Sequence, residues 1–119
     1  MSLQKRPLSG MTVPGTNAAV PRTVPVAPAQ PFIIHQLDTT APFLDTVTLF
    51  VHNNDAGTQI VSVVVGSAPA INVDIGANGT RAIFLEQPFY GVQGQPTQSE
   101  ITVQAQGGAG MVAWGHFTR

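Results

Sequence analysis

Three histidines, His35, His52 and His116, fall on three separate stretches of alternating sequence. Neutral imidazoles carried by three strands can converge on a tetrahedral metal ion. No His-x-His or other local ligand spacing supports such a centre here, so the sequence implies surface or interface histidines and no metal. Imidazoles that titrate near pH 6.5 would make an interface built on them sensitive to pH. The five serines, Ser2, Ser9, Ser62, Ser67 and Ser99, lie outside any Gly-x-Ser-x-Gly elbow. With no cysteine in the chain, thiol catalysis, disulfides and thiolate metal sites are excluded. Asp74 and Glu86 flank an Asn78-Gly79 turn and would oppose each other if that turn closes a hairpin, the paired-carboxylate arrangement of a glycosidase. Asp38 with Asp45, or Asn53-Asn54-Asp55, offer oxygen ligands for calcium without the spacing of an EF-hand loop.

Two further motifs are explained by structure. Gly108-Ala109-Gly110-Met111-Val112-Ala113 fits a loose dinucleotide-binding pattern, but a strand-like run follows it where that motif needs a helix. Asn78-Gly79-Thr80 fits a glycosylation sequon and reads equally as a turn. No catalytic residue, cofactor or metal emerges, and the expectation is a protein that is not an enzyme.

The elements that would position these side chains are short strands. Thr46–His52 alternates, with Val47, Leu49 and Val51 on one face and Thr46, Thr48, Phe50 and His52 on the other. Similar runs cover 32–37, 58–65, 71–75, 81–86, 100–106 and 111–117, with Ile71, Val73 and Ile75 expected inward. Turn residues separate them, at Asn53–Gly57, Gly66–Pro69, Gly76–Thr80 and Gly107–Gly110. About seven strands with no helical window predict an all-β domain, an antiparallel β-sandwich or jelly-roll-like barrel. Phe50, Phe84 and Trp114 fall on the outer faces, where they either pack locally or form an exposed interface. The long loop Gln87–Ser99 carries Phe89 and Tyr90 with three glutamines, a composition suited to protein or carbohydrate contact.

The first 31 residues differ from the rest. They hold six of the ten prolines and no acid, which favours extended chain and excludes helix. Residues 1–31 therefore read as an extended N-terminal arm on a body of residues 32–119. Leu8, Met11, Val13, Val20, Val24 and Val26, with Arg22, are the arm's candidate partner contacts, since a pure linker would be rich in Gly and Ser. Phe50, Phe84, Phe89, Tyr90 and Trp114 are the body's. Residues 1–37 carry three basic groups, and residues 38–119 carry two against six acids. The basic groups are too sparse for a nucleic-acid tail. No apolar run reaches the length of a membrane span or a signal-peptide core, so the expectation is synthesis and retention in the cytoplasm or export as part of an assembly. Only 9% of residues are charged, which suits a surface covered by neighbours. A body this small without disulfides gains burial most readily by oligomerising.

A proline-punctuated basic arm followed by a small cysteine-free β body resembles the decoration or cement proteins of tailed-bacteriophage capsids. The resemblance is architectural and spans the whole chain. It implies a virion location, the major capsid protein as partner, a homo-oligomer such as a trimer, and an arm that clamps neighbouring subunits. It implies no nucleic-acid, membrane or cofactor binding. A carbohydrate- or receptor-binding module, such as a fibre tip or adhesin domain, fits the same composition, as does a head–tail joining or tail protein.

Overall fold

A computed structural model describes residues 5–13, 15–16, 18–39, 44–89, 91–108 and 110–119, without the side chains of 86–89. It holds nine strands: β1 (Lys5–Pro7), β2 (Arg22–Thr23), β3 (Phe32–Gln36), β4 (Asp45–Asn53), β5 (Gln59–Val65), β6 (Ile71–Ile75), β7 (Thr80–Phe89), β8 (Glu100–Ala105) and β9 (Met111–Thr118). The helical content among the described residues is two 3-10 turns, Ser9–Met11 and Pro96–Ser99.

The strands form two antiparallel sheets. The front sheet runs β1-β9-β4-β7, with β2 also paired to β9; the back sheet runs β3-β8-β5-β6. The chain is a β-sandwich. Alternation explains it directly. In β4 Val47, Leu49 and Val51 are buried, and in β8 Ile101, Val103 and Ala105 are buried, each opposed by residues from the other sheet.

Three sequence expectations change. The Asn78-Gly79 turn, where Asn78 takes a positive φ of 53°, is a corner and not a hairpin: β6 pairs with β5 in the back sheet, while β7 pairs with β4 in the front. Asp74 and Glu86 thus sit on different sheets and are not an opposed carboxylate pair. Ile71, expected inward, is exposed at the end of edge strand β6, whereas Ile75 is fully buried. In addition, β7 runs on to Phe89, so the expected loop from Gln87 begins later.

The proline-punctuated segment adds β1 and β2 to the front sheet and crosses to the back sheet between them. β1 and β2 lie along the same side of β9, at 116–118 and 112–113 respectively. Between them the chain makes an excursion that drops Leu8 and Met11 into the core, both with no exposed surface. Leu8 N–H donates to Gly115 O at 3.2 Å. The turn at Ser9–Met11 then reaches the back sheet, where Gly10 lies so close to the carbonyls of Ile33 and Ile34 that a Cβ would not fit. Thr12 and Ala19 bridge, folding the excursion back on itself. Val24 is buried, and Val26 bridges to Ala105 of β8. The segment therefore straps the seam between β9 and β3.

Three of the expected partner contacts are turned inward. Leu8, Met11 and Val24 are core residues of their own chain, and Val26 packs against that core. Val20 is half-buried, and only Val13 and Arg22 of the expected contacts are exposed. The physical reason is simple: isolated apolar residues spaced among prolines need an apolar slot, and the open seam of the same sandwich provides one within reach. The boundary at residue 31 separates two compositions but not two bodies.

Candidate functional site

Two clusters stand on opposite sides of the front sheet. Both are built from aromatic rings and histidine.

The inner cluster lies at the strapped seam. A bulge in β3 pairs Ile33 with Thr102 and His35 with Ile101, leaving Ile34 as the extra residue. Both Ile34 and His35 consequently turn inward, and His35 is 1% exposed. Its Nε2 lies 2.8 Å from Oδ2 of Asp45, which is itself fully buried at the start of β4. Arg119 closes the carboxylate as a fork: Nε donates to Oδ1 at 2.7 Å and Nη2 to Oδ2 at 2.9 Å. The guanidinium also stands 5.3 Å over the Phe117 ring, and that ring lies 4.3 Å from the imidazole. On the other side of His35, Nδ1 receives the Ser9 backbone N–H at 3.2 Å and lies 3.1 Å from Ser9 Oγ. Ser9 Oγ in turn accepts the Gln36 N–H at 2.8 Å.

Ser9, His35 and Asp45 thus stand in the order of a catalytic relay. The surroundings work against that chemistry. A relay needs its imidazolium stabilised by the carboxylate's negative charge. Here Arg119 already occupies both carboxylate oxygens and adds a positive charge. Burial is the largest influence on His35, ahead of its hydrogen bond to Asp45, and the balance lowers its pKa. Asp45 in turn holds Arg119 charged more firmly than usual. Every buried side-chain nitrogen and oxygen among the described residues has a partner. The cluster has the chemistry of a fastener, joining strap, β3, β4 and the residue after β9.

The outer cluster is an open platform. Cross-strand register sets three rows on the solvent side of the front sheet: Phe84, Thr48 and His116; Ala82, Phe50 and Trp114; Thr80, His52 and Val112. Phe50 and Trp114 stack at 5.8 Å with 13° between their planes, and Phe50 lies 6.2 Å from His116. Phe84 is 63% exposed. The His52 ring meets Thr80 Oγ1 at 2.7 Å. Trp114 forms part of two open depressions, of about 490 and 460 Å³. Ala19 and Pro21 of the strapping segment rim the first, and Lys5 and Arg6 rim the second.

The outer side of the back sheet is different. Its middle row is Asn72, Ser62 and Gln104, with Asp74 beside Ile60. Ser62 donates to Asn72, Gln106 donates to Ser62, and Gln104 donates to the Ala29 carbonyl. That face satisfies its own hydrogen bonds; the front face leaves aromatic surface uncovered.

Of the body's expected contacts, Phe50, Phe84 and Trp114 come together on the platform. The side chain of Phe89 and the whole of Tyr90 lie outside the described residues. Among the described residues no three His, Asp or Glu side chains converge as a metal site. His35 is separated from His52 and His116 by the thickness of the front sheet. Asn53, weighed above as a calcium ligand, is buried: its Nδ2 donates to the carbonyls of Gly57, Ile75 and Gly76, and its Oδ1 accepts the Asp55 N–H. Sequence reasoning missed the Asp45–His35–Arg119 cluster, although one signal was present. Asp45 has the same parity as Val47, Leu49 and Val51, which places a carboxylate on a core-facing register. Comparison of the sequence with protein-family models and with curated proteins finds no match.

Proposed function

We propose that the protein is a non-enzymatic structural protein of a bacteriophage virion that binds an assembled capsid and stabilises it. The observation that carries this reading is the outer platform of the front sheet. Its rows of Phe84, Phe50 and Trp114 sit on a chain with only 9% charged residues. Phe84 is exposed and Phe50 and Trp114 are half-buried, and the aromatic area they leave in water favours burial against a partner. Lys5 and Arg6 at the rim suit an acidic surface on that partner. The major capsid protein is the proposed partner. The strapping segment holds the platform's edge in place.

Stabilisation works by mass action. A protein that binds only the assembled shell shifts the equilibrium toward it by RT ln(1 + [L]/Kd) per site. Repetition over many copies turns modest affinity into firm retention, and a trimer at a symmetry axis would multiply this effect.

The test is co-sedimentation of the purified protein with capsids stripped of accessory proteins, alongside its mass by light scattering. Saturable binding by the wild type, weakened at least tenfold by Phe84→Ser or Trp114→Ala, is the expected result. Absence of binding to capsids overturns the reading. Binding of a soluble glycan that is lost with Trp114→Ala would instead establish the carbohydrate-binding alternative, since a stacked Trp–Phe pair also suits a sugar ring.

A further inference from the structure

We propose that residues 5–13 form an acid-released latch: protonation of His35 and His116 lifts this strap, β1 included, from the β9–β3 seam while the remaining strands of both sheets stay folded. The inference stands on where protons already are. Asp45 can only accept from His35, because both its oxygens are carboxylate oxygens held by Arg119. Nε2 therefore carries a hydrogen. The Ser9 backbone N–H can only donate, so Nδ1, at 3.2 Å, must be the bare acceptor. The bound strap thus selects the neutral ring with its proton on Nε2. A second proton on Nδ1 would displace the Ser9 N–H at 3.2 Å and turn to Ser9 Oγ, 3.1 Å away and already accepting the Gln36 N–H, so charging the 1%-exposed imidazole costs the strap its backbone hydrogen bond.

His116 adds to this from the other side of the sheet. It is paired with Pro7 across the β1–β9 ladder. Lys5 and Arg6 of the strap line the same depression. Charging His116 places a third cation against them. The groups facing the two rings are Asp45 from β4, Arg119 after β9, and Lys5 and Arg6 from β1; Asp38 acts on Arg119. Asp45 alone favours the charged form of His35, and Arg119 offsets it. Both histidines have lowered pKa values, His35 chiefly by burial and His116 by burial and then Lys5.

The sign follows. With the strap off, both rings return toward the ordinary value of about 6.5. The released state then binds more protons, so falling pH favours release below about 6.5. The gain approaches tenfold per pH unit for each histidine, until the bound-state pKa is passed. The window from about pH 6.5 to 5.0 is the imidazole range, which separates the effect from acid unfolding.

The measurement is amide hydrogen exchange of the full chain at pH 7.5, 6.5, 5.5 and 5.0, corrected for intrinsic rates. Trp114 emission is read in parallel, because strap residues line its surroundings. Protection at residues 5–13 should fall at least tenfold by pH 5.0 while β4, β5 and β8 hold theirs, and emission should move to longer wavelength. His35→Gln should abolish most of the pH dependence, His116→Gln a smaller part, and His52→Gln none. Unchanged protection at 5–13 would overturn the proposal, and so would simultaneous loss across both sheets. Where His35→Gln does not fold, the wild-type imidazole titration followed by NMR decides. Its midpoint must coincide with that of strap release, and a separation of one pH unit sinks the idea.

Discussion

The two sides of the front sheet carry nearly the same residue types and do opposite things with them. Inside, Phe117 and His35 are tied to Asp45, Arg119 and Ser9, and every polar atom has a partner. Outside, Phe50, Trp114 and His116 form a similar ring cluster with solvent over it. β9 supplies both, since Phe117 faces inward and His116 outward by strand alternation. Aromatic–histidine composition does not by itself mark a site. Inside, the polar groups bond one another into a fastener; outside, the rings stack and leave Phe84 63% exposed.

The comparison can be broken most forcefully at Asp45. Asp45→Ala leaves the buried His35 and the Arg119 fork without their acceptor. The expected loss is about 3–5 kcal/mol in chemical denaturation, because a stranded buried polar partner costs more than the bond itself contributed. A loss below 1 kcal/mol would mean the fastener is dispensable.

The strap comes next. Leu8→Ala or Met11→Ala removes a fully buried side chain and should cost about 2–4 kcal/mol. Val13→Ala, on an exposed position of the same segment, should stay within about 0.5 kcal/mol. Equal effects at Leu8 and Val13 would contradict the strap's placement. Gly115→Ala probes the same joint from β9. A Cβ there meets the Thr48 carbonyl and lies 2.8 Å from Leu8 Cδ1. About 1–3 kcal/mol of destabilisation is expected from crowding, with part of it recovered in the Gly115→Ala, Leu8→Ala double variant.

A change of pH should have a smaller effect. The folded pKa of His35 is lowered, so its neutral form is what the native state keeps. Stability is fully present above about pH 6.5 and declines as pH falls below it, by at most about 1.4 kcal/mol per unit. Denaturation midpoints at pH 7.5 and 5.5 check this, and His35→Gln should flatten the difference. The smallest effect belongs to the outer cluster. Phe84→Ser should change stability by less than about 0.5 kcal/mol, since the ring is 63% exposed. It should nonetheless abolish most capsid binding if the platform is the contact surface. A large stability loss at Phe84 would erase the distinction between the two clusters.

Legibility in the sequence followed the same divide. Period-two runs such as Thr46–His52 located the strands of both sheets and put Phe50, Phe84 and Trp114 outside. The inner cluster was hidden for identifiable reasons. The β3 bulge turns His35 inward against the alternation that the sequence pattern assumes. Its partners come from sequence positions 26 and 10 residues away, and Asp45 meets Arg119 across 74. No local spacing can announce such a set. The segment before Pro31 was legible as extended and apolar-studded, but composition cannot say whose seam it fills. The sheet-switching corner at Asn78-Gly79 looked like a hairpin because the same positive-φ chemistry serves both.

The pairing of β1 with β9 also sets a timetable for folding. Lys5 meets Thr118 and Pro7 meets His116, so the strap's binding ledge is synthesised more than a hundred residues after the strap itself. At roughly 5–20 residues per second, Leu8 and Met11 wait several seconds for a partner during translation. Pro7, Pro21 and Pro25 fit that interval. Each denies the waiting chain an N–H donor and the geometry of a continuous strand, which hinders pairing with other nascent chains. The prolines that make this segment look like a free tail also limit its pairing as a continuous strand before β9 has been made.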